Sequence, residues 1–453
     1  MTTPQLGTAP QLDGGTLMKP MNGTGRQVVI SGIGLLTALG EGPEANWKAL
    51  VAGESGIGPI RAYDPSPLQT RLGGEIVDFD PTRFATKRQL RTVNRGDRLA
   101  LAAARLALDD AGLPHKQAGG DELGHRAGLY LGGNKSLGRM EQLIDELKVI
   151  RRPDGTADMA HLGRHGDVIM PPLFFVEGLP AGAVFNISQT YGIRGSSTFF
   201  AGYADAGATA IGRAMRAVRR GDADVALAGG YDDATSWWSM TLLDRLGILT
   251  TRNDRGQQAY RPYDRDRSGG LPGEGAALLV LEEKQAALRR GARIYAELTG
   301  YGAGHDARTP PAADPEGRGL ARAVRRSLED ARLAADDLGY IASDGAATRL
   351  GDTGEAIALR TALGQAAGSV PVSTPKPQTG HLVGGGGALN AAVAALALHH
   401  GVLPATLNLD NPDPACDLDH VRGSARESRP SHAMALARGI EGQAVALTLS
   451  RLA

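Results

Sequence analysis

The sequence predicts an α/β fold in two similar halves, with parallel or mixed sheets covered by helices. Three observations point there. Apolar runs of strand length alternate with helical patterns along the chain. Many of those runs end in glycine, as buried strands do before a tight turn. And 453 residues are too many for one simple core, so two similar-sized lobes or one large layered unit is expected. The halves share an element order, although no sequence repeat marks them.

Residues 1–25 read as a mobile polar tail. Gln27 to Gly34 is the first buried strand and turn, and Glu44 to Ala52 a helix. Thr82 to Gly112 holds a basic segment and then a long helix ended by glycine. Arg126 to Leu131 is the next buried strand. Residues 134–185 read as less regular, with an insertion-like segment, Arg151 to Gly166, rich in charge and histidine. Ser196 to Gly212 then reads as a buried strand, a tight turn and a small-residue helix that runs on to Arg220 and stops at Gly221. Such a turn commonly carries a nucleophile, because the helix N-terminus stabilises negative charge there. Here the turn residue is Ala204, which has no nucleophilic group. Asp224 to Gly230 is a strand.

In the second half, Arg293 to Gly302, Tyr340 to Gly345, Val370 to Ser373 and Ala444 to Leu449 are strand-like. Gly319 to Ala334, Gly354 to Leu363 and Gly387 to His399 are helical.

Composition narrows the function. Basic and acidic residues balance at 49 each, which argues against nucleic-acid or membrane-surface binding by bulk charge. One cysteine, Cys416, excludes an intrachain disulfide framework. The N-terminus lacks the apolar core of a signal peptide, and no apolar run is long enough for a bilayer, so a cytoplasmic soluble protein is expected. The 63 glycines and 4% aromatic content imply tight turns and close helix packing.

Four segments stand out. Arg261 to Gly275, RPYDRDRSGGLPGEG, reads as a loop tied down by Asp264, Asp266 and Glu274 against arginines, although composition alone favours a plain surface loop. Lys376 and His381 precede a glycine run and a helix start. They fit an anion site, or equally a solvated lysine beside a packed histidine. Asp344, before Gly345, is a base, a helix cap or a turn residue, with cap or turn favoured. Lys87, Arg88, Arg91, Arg95 and Arg98 form a basic face, more often solvated than a dock for an acidic carrier protein.

Seven segments converge on one family: VVISGIGLLTALGEG at 28–42, AGESGIGPI at 52–60, NISQTYGIRGSS at 186–197, GDADVALAGG at 221–230, RPYDRDRSGGLPGEGAALLVLE at 261–282, STPKPQTGHLVGGGG at 373–387 and LNLDNPDPACDLD at 407–419. In order and spacing the chain resembles the β-ketoacyl-acyl-carrier-protein synthases. The resemblance implies a thiolase-like fold, with two pseudo-symmetric lobes in a layered α-β-α-β-α arrangement and a two-fold dimer. The lobes would span 26–285 and 286–453, after the tail of 1–25. It implies substrates on the phosphopantetheine arm of acyl carrier protein, no tightly bound cofactor and no metal. The family reaction is a decarboxylating Claisen condensation, with a cysteine holding the acyl chain and two histidines serving the enolate.

The departures are specific. Ala204 stands at the cysteine position and Asp344 at the first histidine position, while Lys376 and His381 match the family. Leu436 to Gly442 replaces a glycine- and phenylalanine-rich loop. This set resembles the chain-length factor, the ketosynthase-like subunit of bacterial type II polyketide synthases, although many members have glutamine at the position of Ala204. The resemblance implies pairing with a cysteine-bearing ketosynthase. It also implies tunnel-lining residues on Asn134 to Leu143, with Leu137 and Met140 as the candidates. Two alternatives remain. Lys376, His381 and the helix N-terminus at Ala204 would support malonyl decarboxylation that supplies a starter unit. Or the fold serves another acyl transfer, with Tyr203 and Asp205 flanking the turn and no evident activating base.

Overall fold

The computed structural model describes residues 25–113, 123–134, 140–169, 173–311 and 313–452. The tail expected at the N-terminus, apart from Gly25, and Leu137 lie outside the described residues. Ten strands carry the fold. They are β1 (Val28–Thr37), β2 (Ala127–Gly133), β3 (Ser197–Ala201), β4 (Val225–Asp233), β5 (Glu274–Glu283), β6 (Ala296–His305), β7 (Tyr340–Ala342), β8 (Pro371–Ser373), β9 (His432–Arg438) and β10 (Gln443–Ser450). The sheet order is β3-β2-β4-β5-β1 in the first half and β8-β7-β9-β10-β6 in the second. Each strand of the second half therefore takes the place of the strand five earlier. The halves join where β1 meets β6 antiparallel, Val29 opposite Glu297.

Six helices follow the same repeat: α1 (Arg95–Asp110), α2 (Gly182–Tyr191), α3 (Ala204–Arg220), α4 (Arg318–Ala331), α5 (Arg349–Leu363) and α6 (Gly386–His400). Helices α3 and α6 pack on strands of both halves, so they form the middle layer. Helix α1 covers the outer face of the first half, and α4 with α5 that of the second. The result is the layered α/β arrangement of the thiolase-like fold.

The sequence explains the layers. Helix α6 is buried from Gly386 to Leu398, as a helix apolar on all sides must be. Glycine lets outer helices lie directly on the strands. A Cβ at Gly34 of β1 would stand 2.0 Å from the Ala103 carbonyl oxygen of α1. One at Gly302 of β6 would stand 2.0 Å from the Ala323 carbonyl oxygen of α4. The same device recurs at the same place in both halves.

Four expectations are corrected. Strand β3 is not buried: Ser197, Thr198 and Ala201 are exposed, because β3 ends the sheet and pairs only with β2 among the described strands. The described residues between 134 and 185 are largely helical, with helices Met140–Ile150, Met159–Ile169 and Phe174–Glu177 before α2. Apolar and charged residues are mixed on their exposed sides, with Leu147, Val149 and Met159 exposed and Glu146 buried, so residue type does not mark the buried face. The Arg261–Gly275 segment is no surface loop. Arg261, Asp264, Arg267 and Glu274 are buried; Asp264 pairs with Arg261 at 3.1 Å and Glu274 with Arg95 at 2.5 Å. That last pair also breaks up the basic face. Arg95 turns to Glu274 and Arg98 donates to the Leu90 carbonyl at 3.1 Å, leaving Lys87, Arg88 and Arg91 exposed. Strands β5 and β9 had no strand reading in the sequence. No helix among the described residues is long and apolar enough to cross a membrane.

Candidate functional site

The chain leaves β3 at Ala201, turns through Gly202 and Tyr203, and enters α3 at Ala204. Tyr203 is the N-cap, with a non-helical backbone, so Ala204 is the first residue of a long helix. Its methyl is fully buried. The start of α6 meets it there: a Cβ built at Gly386 would lie 3.4 Å from the Ala204 Cβ and 3.4 Å from His381 Cε1. Alanine, histidine and the glycine that separates them thus share one point.

Asp344 follows β7. The cap or turn reading favoured for it gives way to a buried ion pair. Its carboxylate accepts from Lys376 Nζ at 2.7 Å, with the two side chains 5% and 1% exposed. Glu355 of α5 fixes this turn by accepting the Asp344 N–H at 2.7 Å and the Gly345 N–H at 2.9 Å. Burial alone raises the Asp344 pKa, but Lys376, and then His381, outweigh it and hold the carboxyl below its usual range. Lys376 is therefore spent on Asp344 and is not a free cation for a substrate anion.

His381 is 7% exposed, and its Nδ1 accepts the Val383 N–H at 2.9 Å. That bond assigns the proton of the neutral ring to Nε2. Burial, and then the Lys376 charge, push its pKa down to about 3. The Tyr203 ring packs on it, centroids 4.7 Å apart. Asp344, His381, Tyr203 and Arg438 border a cavity of about 80 Å³. Chemically the cavity offers a neutral imidazole donor and the Asp344 carboxylate already paired with Lys376, and no thiol lines it. Cys416 is buried elsewhere, among Tyr263, Ala356 and Leu409, and burial raises its thiol pKa to about 11.

The structure therefore brings Ala204, Asp344, Lys376 and His381 into one site. Met140 is half-buried at the start of its helix. Sequence reasoning gave no role to Glu355, which anchors the Asp344 turn, or to Arg438, which donates to the Gly351 carbonyl at 2.9 Å. Only the spacing of Glu355 on an expected helix hinted at burial.

His381 sets a stability trend on the acid side. Its folded pKa lies below its unfolded value, so the unfolded chain binds the extra proton between about pH 6.5 and 3. The stability held by the neutral ring is complete above that window and falls as pH drops through it, by up to roughly 1.4 kcal/mol per pH unit. His381→Asn removes this slope. Buried carboxylates with raised pKa, such as Asp352 at about 7, act in the opposite direction but equally in both proteins. Urea unfolding at pH 7, 5.5 and 4.5 should show the wild type losing ground to His381→Asn. Parallel pH curves would contradict a neutral buried ring.

The layered fold, with a helix N-terminus meeting a lysine and a histidine, is that of a condensing-enzyme scaffold. Residues 25–287 match the β-ketoacyl synthase N-terminal domain and residues 295–410 its C-terminal domain. The chain belongs to the β-ketoacyl synthase family. It is 35% identical over 427 residues to the tetracenomycin polyketide synthase ketoacyl synthase alpha subunit of Streptomyces glaucescens, covering 94% of this chain and 97% of that one. It is 34% identical over 426 residues to 3-oxoacyl-(acyl-carrier-protein) synthase 2 of Synechocystis sp., covering 94% and 98%. Among solved structures it is similar to the ishigamide ketosynthase/chain length factor, with TM-score 0.82, 31% identity, and coverage of 94% of this chain and 100% of that one.

Proposed function

We propose that this chain is a chain-length factor. It pairs with a cysteine-bearing ketosynthase and sets the length of a polyketide built on acyl carrier protein. The observation that carries the reading is the buried methyl of Ala204 at the head of α3, where the family holds its acyl thioester. An alanine forms no thioester, and Cys416 is buried in a separate cluster. The Lys376–Asp344 pair supports the same reading, because the lysine is already neutralised. The acyl carrier and its phosphopantetheine arm enter as the substrate carrier of the complex. The likeness to the ishigamide ketosynthase/chain length factor adds support from outside the chain.

The test is co-purification with the ketosynthase encoded beside it, followed by a malonyl-carrier-protein assay of each chain and of the pair. Elongation by the pair only is the expected result. Consumption of malonyl groups by this chain alone would instead make it a decarboxylase. Restoring the thiol is a sharper version. Ala204→Cys alone leaves the isolated chain inactive, because Asp344 still stands at the first histidine position. Losing one group that stabilises a developing oxyanion commonly costs ~10²–10³ in rate. Robust condensation by the single mutant without a partner would overturn this account of Asp344.

A further inference from the structure

Two cavities approach each other at the head of α3. The inner one, of about 80 Å³, is bordered by His381 and Asp344. The outer one, of about 520 Å³, runs past Ala201 at the end of the edge strand β3, past Asn134, and between Ala234 and Leu246. Three side chains border both: Tyr203, Leu243 and Ile440. They are a shared wall.

Tyr203 is the bulk of that wall. Its ring packs on His381 on one side and touches two separate apolar clusters, the main core and the small one around Ala234, Leu243 and Leu249. A ring held from both sides does not swing aside cheaply in a close-packed interior. Its hydroxyl makes no hydrogen bond among the described residues, so the ring's volume, not a polar contact, is what the position supplies. The outer cavity lies along the exposed end of β3, where the sheet has an open edge. An acyl chain arriving across that edge would run along Ala234, Leu242 and Leu246, with Ser239, Arg245 and Glu441 also on the lining, and stop against the Tyr203 ring.

We infer that Tyr203, backed by Leu243 and Ile440, is the end wall for the growing acyl chain in this subunit, and that its volume sets product length. This rests on the length-setting reading above. It places the stop at the degenerate site itself, apart from the Asn134–Leu143 segment. Truncating the ring joins the two cavities. The chain then gains the space of the ring and of the inner cavity, and elongation continues.

The experiment reconstitutes the full chain with its cysteine-bearing ketosynthase, the carrier protein and a malonyl donor, and reads product length by mass spectrometry. Tyr203→Ala is expected to shift the products by at least one two-carbon unit. Tyr203→Phe keeps the ring and the wild-type length. Ile440→Ala shifts length in the same direction and serves if Tyr203→Ala does not fold. An elongating pair in which Tyr203→Ala makes the wild-type product overturns the wall. If the wild-type pair does not elongate, the length-setting reading fails by itself. The wall is then read by calorimetry with decanoate: tighter binding to Tyr203→Ala than to Tyr203→Phe sustains it, and equal binding overturns it.

Discussion

Asp344→Ala lowers the stability of the folded chain by about 3–5 kcal/mol. Lys376 has a side chain 1% exposed, and its ammonium rests on the Asp344 carboxylate at 2.7 Å. Deleting the carboxylate leaves a cation in the core with its desolvation cost uncompensated. The pair itself adds much less than that figure, because its attraction is spent on removing two charges from water. Asp344→Ala with Lys376→Met therefore recovers most of the loss, and a double-mutant cycle separates the two effects. The Asp344 pKa is lowered in the folded state, so the pair's contribution is present above the ordinary carboxylate range. It is lost only as pH falls through the lowered folded value. Urea unfolding at pH 7 is the measurement. A loss under about 1 kcal/mol for the single mutant would mean that Lys376 finds another partner or loses its proton.

Gly387→Val costs about 3 kcal/mol or more, at the upper end of overpacking effects. Gly387 sits in the first turn of α6, against the head of α3. A Cβ there would stand 2.4 Å from the Ala204 carbonyl oxygen, 2.7 Å from the Ala437 Cβ and 2.9 Å from the Ala208 Cβ. None of these is the end of a flexible side chain, so the helices themselves must part. The control is Gly163→Ala, on the exposed helix Met159–Ile169, where a new Cβ meets nothing within 4 Å. That change should stabilise by about 0.5–1 kcal/mol through backbone entropy. Denaturant midpoints for the two variants should move in opposite directions. A tolerated Gly387→Val would mean that α3 and α6 cross with more room than this contact allows.

Much of the fold was legible because its signals are local. Strand-length apolar runs, glycine stops such as Gly221, and the small-residue pattern of α3 depend on neighbours in sequence. They locate α3 to the residue at its C-terminus. The helices between Met140 and Glu177 escaped because their exposed sides mix apolar with charged residues: Leu147 and Val149 are exposed while Glu146 is buried. The exposure of β3 escaped for another reason: an edge strand and a central strand can share one sequence, and only pairing decides which it is.

Of the candidate site, the sequence by itself determined the chemistry that is missing. An alanine stands at 204, the position the family resemblance gives to its cysteine, and the chain's one cysteine is at 416. Tertiary structure alone decided what the remaining groups do. Asp344 and Lys376 are 32 residues apart, and Glu355 belongs to a different helix. From sequence, Asp344 reads as a base, cap or turn residue and Lys376 as part of an anion site or a solvated lysine, and Glu355 has no reading of its own. Burial forces them together, because an unpaired charge in the core costs more than the folded state can spare.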